Sequence, residues 1–327
     1  MALVKLLPRM LALGSLCLPA LLGFASPAQA QVYPSKPVRL VVPYPPGGAS
    51  DVLVRMLQPK FAEYMGQPIV IDNKGGAAGS IGAADVARAA PDGYTIMMVA
   101  DPWGVMNHLY KAAPDVFAAF DHLIMTTTSP SLLVGATAFA PGNVKEVVAA
   151  AKAGAGVVTY ASPGAGTFNH LSALLLEQAA GIQMTHVPYK GGGPMLQALL
   201  GGQVNIMFIS APVVMPNVKA GKLKPLAVGS RQRIPQLPDV PSLSETYPGI
   251  QLLAWSGLVA PAGVPREAAN RIHRDMLRTL ADPETRRRLN EAGFDIVGST
   301  PQEFQAFVRG EYDKLGKVIR DYGVKVD

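Results

Sequence analysis

Short apolar, β-branched runs alternate with helix-period stretches along almost the whole chain, and the first pair sets the pattern. Val38-Arg39-Leu40-Val41-Val42 reads as a buried strand. Pro43, Pro45 and Pro46 end it, because proline cannot donate to a ladder. Gly47 and Gly48 permit a tight turn, and Ala49 leads to Ser50, which suits a helix N-cap with Asp51 in the first turn. Leu53, Met56, Leu57, Phe61 and Tyr64 then form a helical stripe, which Pro59 is expected to kink or split near Gln58. A strand, a proline–glycine loop and a helix N-terminus point backbone N–H groups at one spot. That arrangement suits a carboxylate or phosphate, and it also serves as an ordinary connection.

The same rhythm repeats. Strands are expected at 69–72, 94–99, 132–134, 157–161, 184–187, 204–208, 226–228 and 252–259. Helices are expected at 83–89, 105–111, 168–180, 195–200 and 213–219, with one capped by Asn143 and three more starting at Arg266, Glu284 and Gln302. Residues 231–250 are rich in proline and predict little regular structure. Strand–helix alternation predicts an α/β class with mainly parallel sheets. Ligands in such sheets sit beyond the strand C-termini. The glycine-rich loops at 45–50 and 162–167 both lie there, one in each half of the chain, which suggests a cleft.

The N-terminus follows a different pattern. Lys5 and Arg9 precede an apolar run from Leu11 to Phe24, and Ala28-Gln29-Ala30 resembles a cleavage site. Residues 1–30 are therefore expected to be a secretory signal peptide, with a mature periplasmic chain beginning at Gln31. The run is short for a span of about 20 residues, so a membrane anchor is disfavoured. The one cysteine, Cys17, lies in this segment and follows Leu16, where a lipoprotein signal would want a small residue. A mature chain without cysteine carries no disulfide and no thiolate-based site.

Composition narrows the function classes. An apolar fraction of 49% supports a full core. The net charge is +6, with Lys5 and Arg9 contributing to it from the leader. Arg286-Arg287-Arg288 follows Pro283-Glu284 on an expected helix and reads as a solvated face, so no nucleic-acid partner is expected. A dinucleotide site would need G-x-G-x-x-G and a later acid, and Gly164-Ala165-Gly166-Thr167-Phe168-Asn169 lacks the third glycine. Ser162 is flanked by Ala161 and Pro163, unlike the G-x-S-x-G of a serine hydrolase. His108, His122, His186 and His273 have no H-x-x-x-H spacing, so no metal, cofactor or catalytic residue is expected. His170, on the helix after the second glycine loop, reads as either a ligand contact, a base or a packing side chain. Lys190, beside three glycines, either offers charge to an anion or is a solvated loop lysine.

Several motifs in fixed order resemble one family. They are Tyr33-Pro34-Ser35-Lys36-Pro37-Val38-Arg39 with Pro45-Pro46-Gly47-Gly48, then Gly66-Gln67-Pro68 and Ala90-Pro91-Asp92-Gly93-Tyr94-Thr95. Tyr160-Ala161-Ser162-Pro163-Gly164-Ala165-Gly166-Thr167, His186-Val187-Pro188-Tyr189-Lys190-Gly191, Gly201-Gly202-Gln203-Val204 and Ala220-Gly221-Lys222-Leu223 continue the match. From about residue 33 onward the chain resembles the Bug (TctC-like) receptors, the solute-binding components of tripartite tricarboxylate transport systems.

The resemblance implies a two-lobed periplasmic-binding-protein fold with a hinge of two crossovers and a ligand cleft. Lobe 1 would comprise 31–131 and 253–327, and lobe 2 would comprise 132–252. It implies a monomer that captures a small carboxylate and docks transiently on a membrane permease. Ser162, Gly164, Ala165, Gly166 and Thr167 would hold the carboxylate through amides and hydroxyls. Pro46, Gly47, Gly48, Ala49 and Ser50, with Asp51 beside them, would reach the ligand largely through water.

Two departures bear on the ligand. Members often read Met-Phe-Asp where this chain has Met207-Phe208-Ile209 followed by Ser210, which weakens an amino-acid ligand. Members commonly have Thr, Asn or Ser where this chain has Asp101-Pro102-Trp103, and Trp103 either stacks on an aromatic ligand or packs its lobe. With Trp103 and Ile209 lining the pocket, an aromatic mono- or dicarboxylate such as terephthalate is expected over a short aliphatic di- or tricarboxylate. Two other readings compete. One is a receptor of the same fold that signals to a sensor kinase. The other is a secreted α/β enzyme, for which the sequence offers no nucleophile–base pair.

Overall fold

A computed structural model describes residues 33–46, 48–154 and 156–326. The expected leader and Gly47 of the first glycine loop lie outside the described residues. The chain begins with β1 (Val38–Val42), α1 (Ala49–Met65), β2 (Ile69–Asn73), α2 (Ser80–Ala87), β3 (Thr95–Ala100) and the short α3 (Met106–Leu109). A 17-residue strand, β4 (Phe120–Ala136), leads to α4 (Val144–Ala153), β5 (Thr159–Ser162), α5 (Phe168–Ala180), β6 (Thr185–Pro188) and α6 (Gly192–Leu200). Then come β7 (Ile206–Ser210), α7 (Ala211–Lys219), β8 (Leu223–Val228) and α8 (Leu243–Thr246). The chain closes with β9 (Leu253–Pro261), α9 (Arg266–Ala281), α10 (Pro283–Ala292), β10 (Asp295–Ile296) and α11 (Pro301–Asp321).

Eight of these strands form one continuous hydrogen-bonded path in the order β2-β1-β3-β9-β4-β7-β5-β6, and β8 and β10 each pair with β4 off it. The outer strands are parallel: β1 to β2 and β3, and β5 to β6 and β7. The middle is antiparallel, which corrects the expectation of mainly parallel sheets. β9 runs antiparallel to β3 and to the first part of β4, from Phe120 to Pro130. From Ser131 onward β4 pairs instead with β7 and β8. One strand thus belongs to both halves of the sheet, and β9 returns the chain to the first half.

Both faces of each half are covered, as expected for strands embedded between helices. Side chains alternate accordingly. Leu40 and Val42 of β1 join a cluster with Leu53, Phe61 and Ile272, whereas Val41 joins Met97, Trp103 and Phe304 on the opposite face. In the second half, Ile206 and Phe208 of β7 pack with Val147 and Leu176, and Met207 and Ile209 pack with Met195 and Val214. α11 serves both halves. Its Phe304 and Val308 sit in the first-half core, and Leu315, Val318 and Ile319 pack against Leu171 and Leu174 of α5.

Helix ends explain most of the boundaries. α10 starts at Asp282, whose side chain accepts from Thr285 N–H, followed by Pro283 in the first turn. α11 starts with a capping box between Thr300 and Glu303. α1 differs from expectation in two ways. It runs unbroken through Pro59, and its N-cap is Gly48, so Ser50 lies inside the first turn.

Candidate functional site

Two strand–loop–helix junctions stand at strand C-termini in the two halves, and their electrostatics differ. In the first half, β1 runs through Pro43–Gly48 into α1, which has no side-chain cap and carries Asp51 in its first turn. Asp51 is buried, accepts from Arg55 Nε at 2.9 Å and from Asn73 Nδ2 at 3.1 Å, and sits on the positive end of the helix. The anion-attracting potential of α1 therefore already has a carboxylate of the protein beside it.

In the second half, β5 leads through Pro163–Thr167 into α5. Thr167 is the N-cap, but its hydroxyl donates to Gly164 O at 2.7 Å and makes no side-chain cap to the helix. The first turn of α5 contains no acidic residue. Gly164 and Gly166 adopt φ of 135° and 73°, a backbone region that favours glycine, and these two residues turn the loop. Of the two junctions, the α5 end is the one whose charge suits an incoming carboxylate.

The loop is cross-braced from below. Ser162, with no exposed surface, receives Gly164 N–H at 3.0 Å and lies within hydrogen-bond distance of Gly164 O (2.9 Å) and His186 Nε2 (2.6 Å). Gly166 N–H donates to His170 Nδ1 at 3.0 Å. His170 stacks on His186 with centroids 4.2 Å apart, and His186 stacks on Tyr160 at 5.0 Å. Burial, and then the neighbouring His186, pushes the His170 imidazole down to about 4, and burial alone holds His186 below its ordinary value. Both rings are neutral at pH 7. Asn169 Nδ2 donates to Phe208 O at 2.6 Å and pins the first turn of α5 to β7.

The structure brings Ser162, Gly164, Ala165, Gly166, Thr167 and His170 together in this one loop and helix turn. Ala165 and Thr167 are half-buried, and Gly166 is buried against the first half: an added methyl there would stand 2.3 Å from Leu109 Cδ1 of α3. Pro46 and Gly48 are exposed, Ala49 is half-buried, and Ser50 is buried. Among the described residues no hydrogen bond links them to the second-half loop.

Four of the expected side chains are engaged in packing or in hydrogen bonds within the protein. Trp103 does not line a ligand space. Asp101–Val105 forms a tight 3-10 turn that tucks the indole into the first-half core, 1% exposed, edge-on to Phe120 at 4.7 Å with Nε1–H donating to His122 Nε2. Ile209 is 5% exposed and shares the core face of β7 with Met207. Asp101 accepts Trp255 N–H at 2.8 Å, which fastens β9 beside the end of β3, and burial pushes its carboxyl up to about 8. Ser210 pairs with Ser129 Oγ at 2.7 Å between β7 and β4.

His186 and Tyr160 were absent from the expected site. The parallel register of β5 and β6 sets Tyr160 opposite His186. That neighbourhood requires the pairing of two strands separated by a helix. A cue in the sequence is an aromatic and a histidine at matching places in two short strands, each followed by a glycine-rich loop.

The sequence matches the tripartite tricarboxylate transporter family receptor, TctC, over residues 53–324. The structure of the periplasmic binding protein BugD resembles this chain with a TM-score of 0.81 and 32% identity, covering 90% of this chain and 99% of BugD. An R. palustris protein solved with adipate gives 0.83 at 31% identity, with 90% and 99% covered. MatC from Rhodopseudomonas palustris, with bound malate, gives 0.79 at 31% identity, with 88% and 100% covered. The family is one of transporter receptors and BugD is a periplasmic binding protein, so the chain is a solute-binding protein and not an enzyme. No helix among the described residues is long and apolar enough to cross a membrane. The chain belongs to the tripartite tricarboxylate transporter receptor family and is a Bug-type, TctC-like periplasmic solute-binding protein.

Proposed function

We propose that this receptor captures a small carboxylate at the loop of Ser162–Thr167 and the N-terminus of α5, and delivers it to a membrane permease. The observation that carries this reading is the contrast between the two junctions: α5 has an acid-free, side-chain-uncapped N-terminus, whereas α1 holds Asp51. The lobes are 31–131 with 253–327, and 132–252, closing about crossovers near Ser131 and Leu252. The mature chain starts at about Gln31 and works as a monomer.

Ligand class follows from what surrounds the loop. Trp103 and Ile209, the side chains that would favour an aromatic acid such as terephthalate, are both core side chains. Without an indole to stack on, about 0.5–1.5 kcal/mol of aromatic preference is lost. Short aliphatic dicarboxylates are the favoured class, in line with the malate and adipate bound by the two similar proteins.

A thermal-shift screen across malate, citrate, adipate, benzoate and terephthalate tests this. An acid at about 100 times its dissociation constant stabilises the native state by about 2.7 kcal/mol. The expected result is a raised melting temperature with an aliphatic di- or tricarboxylate. A shift with aromatic acids alone would reverse the class assignment, and no shift with any carboxylate would remove the functional reading.

A further inference from the structure

Two amides of the proposed carboxylate loop are already engaged. Gly166 N–H donates to His170 Nδ1, and Gly164 N–H donates to Ser162 Oγ. A buried N–H that gives its hydrogen to Nδ1 cannot give it fully to a ligand oxygen as well. Capture of an anion at this turn therefore involves an exchange of partners. Accepting from Gly166 fixes the His170 tautomer: Nδ1 carries the lone pair and Nε2 carries the proton.

The geometry points to His170 as a proton-coupled positioning residue. When a ligand carboxylate takes the Gly166 N–H, His170 Nδ1 is released and takes up one proton from solvent, so that acid and proton are captured together. This rests on the functional reading above. The chemistry balances simply: one N–H···N hydrogen bond is exchanged for an N–H···O bond, and the freed lone pair binds H⁺ while Nε2–H stays in place.

The surroundings favour this coupling over a permanently charged ring. Two titratable groups pack on His170: His186 of β6, with ring centroids 4.2 Å apart, and Tyr160 of β5, at 6.2 Å, and these two also stack on each other at 5.0 Å. The charges that act on Tyr160 are those of Glu177 and Tyr322. In the free protein, burial and the second imidazole keep His170 neutral, at about 4. A bound carboxylate supplies the missing counter-charge and raises the affinity of the ring for a proton. The sign follows from linkage: bound and free proteins then differ in proton affinity. Ligand affinity is flat well above the bound-state value and tightens as pH falls toward 4, by at most about tenfold per pH unit for one proton.

Titration calorimetry of the mature protein with adipate and malate tests this, from pH 8 to pH 5.5 in two buffers of different ionisation enthalpy. The wild type is expected to bind several-fold more tightly at pH 5.5 than at pH 7.5, with net proton uptake. His170→Asn places Oδ1 where Nδ1 stood. It keeps an acceptor for Gly166 without a titrating ring, and it is expected to bind with a flatter profile and lower uptake. Comparing the two cancels the titration of the acid itself.

A second readout needs no variant. The His170 ring nitrogens should report an unprotonated Nδ1 in the free protein at pH 5.5 and a protonated one in the complex. Equal profiles for wild type and His170→Asn, or an Nδ1 that stays unprotonated in the complex, would overturn the inference while leaving the binding site intact. Failure of adipate, malate and every other acid of the thermal screen to bind at any pH would overturn the functional reading, and the inference with it.

Discussion

Gly257→Val is expected to destabilise the protein by about 3 kcal/mol, the upper end of what overpacking a core costs. Gly257 lies in β9, between β3 and β4 at the centre of the first-half sheet. A Cβ there would stand 2.3 Å from Phe304 Cζ and 2.8 Å from Ile124 O. Phe304 is fully buried, and the Ile124 carbonyl belongs to the β4 strand that pairs with β9, so neither neighbour can step aside cheaply. Gly310 of α11 is the matched control. It is exposed, nothing lies within 4 Å of its added methyl, and Gly310→Ala should be neutral or stabilise by up to about 1 kcal/mol. Denaturant melts of both variants check the pair. A Gly257→Val variant as stable as wild type would mean that α11 does not press on β9 as described.

Gly166→Val is expected to leave the protein folded but to weaken carboxylate binding by about 1–3 kcal/mol, roughly 5- to 150-fold. Two effects act together. The φ of 73° is strained for a β-branched residue, and the new side chain would meet Leu109 Cδ1. Leu109 can rotate away, whereas the backbone cannot keep its turn. Relaxing φ swings the Gly166 N–H off the line it shares with His170, and with it the amides that lead into α5. Gly164→Ala separates the two causes: its methyl would meet nothing within 4 Å, but its φ of 135° is equally unsuited to a side chain. Calorimetry with an acid found by the thermal screen decides between them. Wild-type affinity in a folded Gly166→Val would remove the loop from the site.

Much of the fold was legible from residue pattern because local and tertiary preferences agree there. β1, β3 and β7 are short apolar runs, and α10 and α11 carry their caps in the sequence. β4 was legible only over 132–134. Its earlier part contains Thr126, Thr127, Thr128 and Pro130, and its strand character comes from pairing with β9, some 130 residues away. The site divides in the same way. Ser162 to Thr167 announce themselves through glycine and hydroxyl composition. Which face Trp103 and Ile209 take cannot be read from a chain whose sheet is covered on both sides. For Trp103 the outcome depends on one tight turn after β3, and for Ile209 on the register of β7 against β4. The Ser50 N-cap missed by two residues because Gly48, although without a side chain, has the extended backbone that a cap needs.

On this reading the α5 junction, and not the α1 junction, holds the ligand carboxylate. A crystal structure of the mature protein grown with a carboxylate from the thermal screen tests it most directly. Carboxylate oxygens are expected within hydrogen-bond distance, about 2.7–3.2 Å, of backbone N–H groups between Gly164 and the first turn of α5. A carboxylate seated on the first turn of α1 beside Asp51, with the Ser162–Thr167 loop unoccupied, would contradict it.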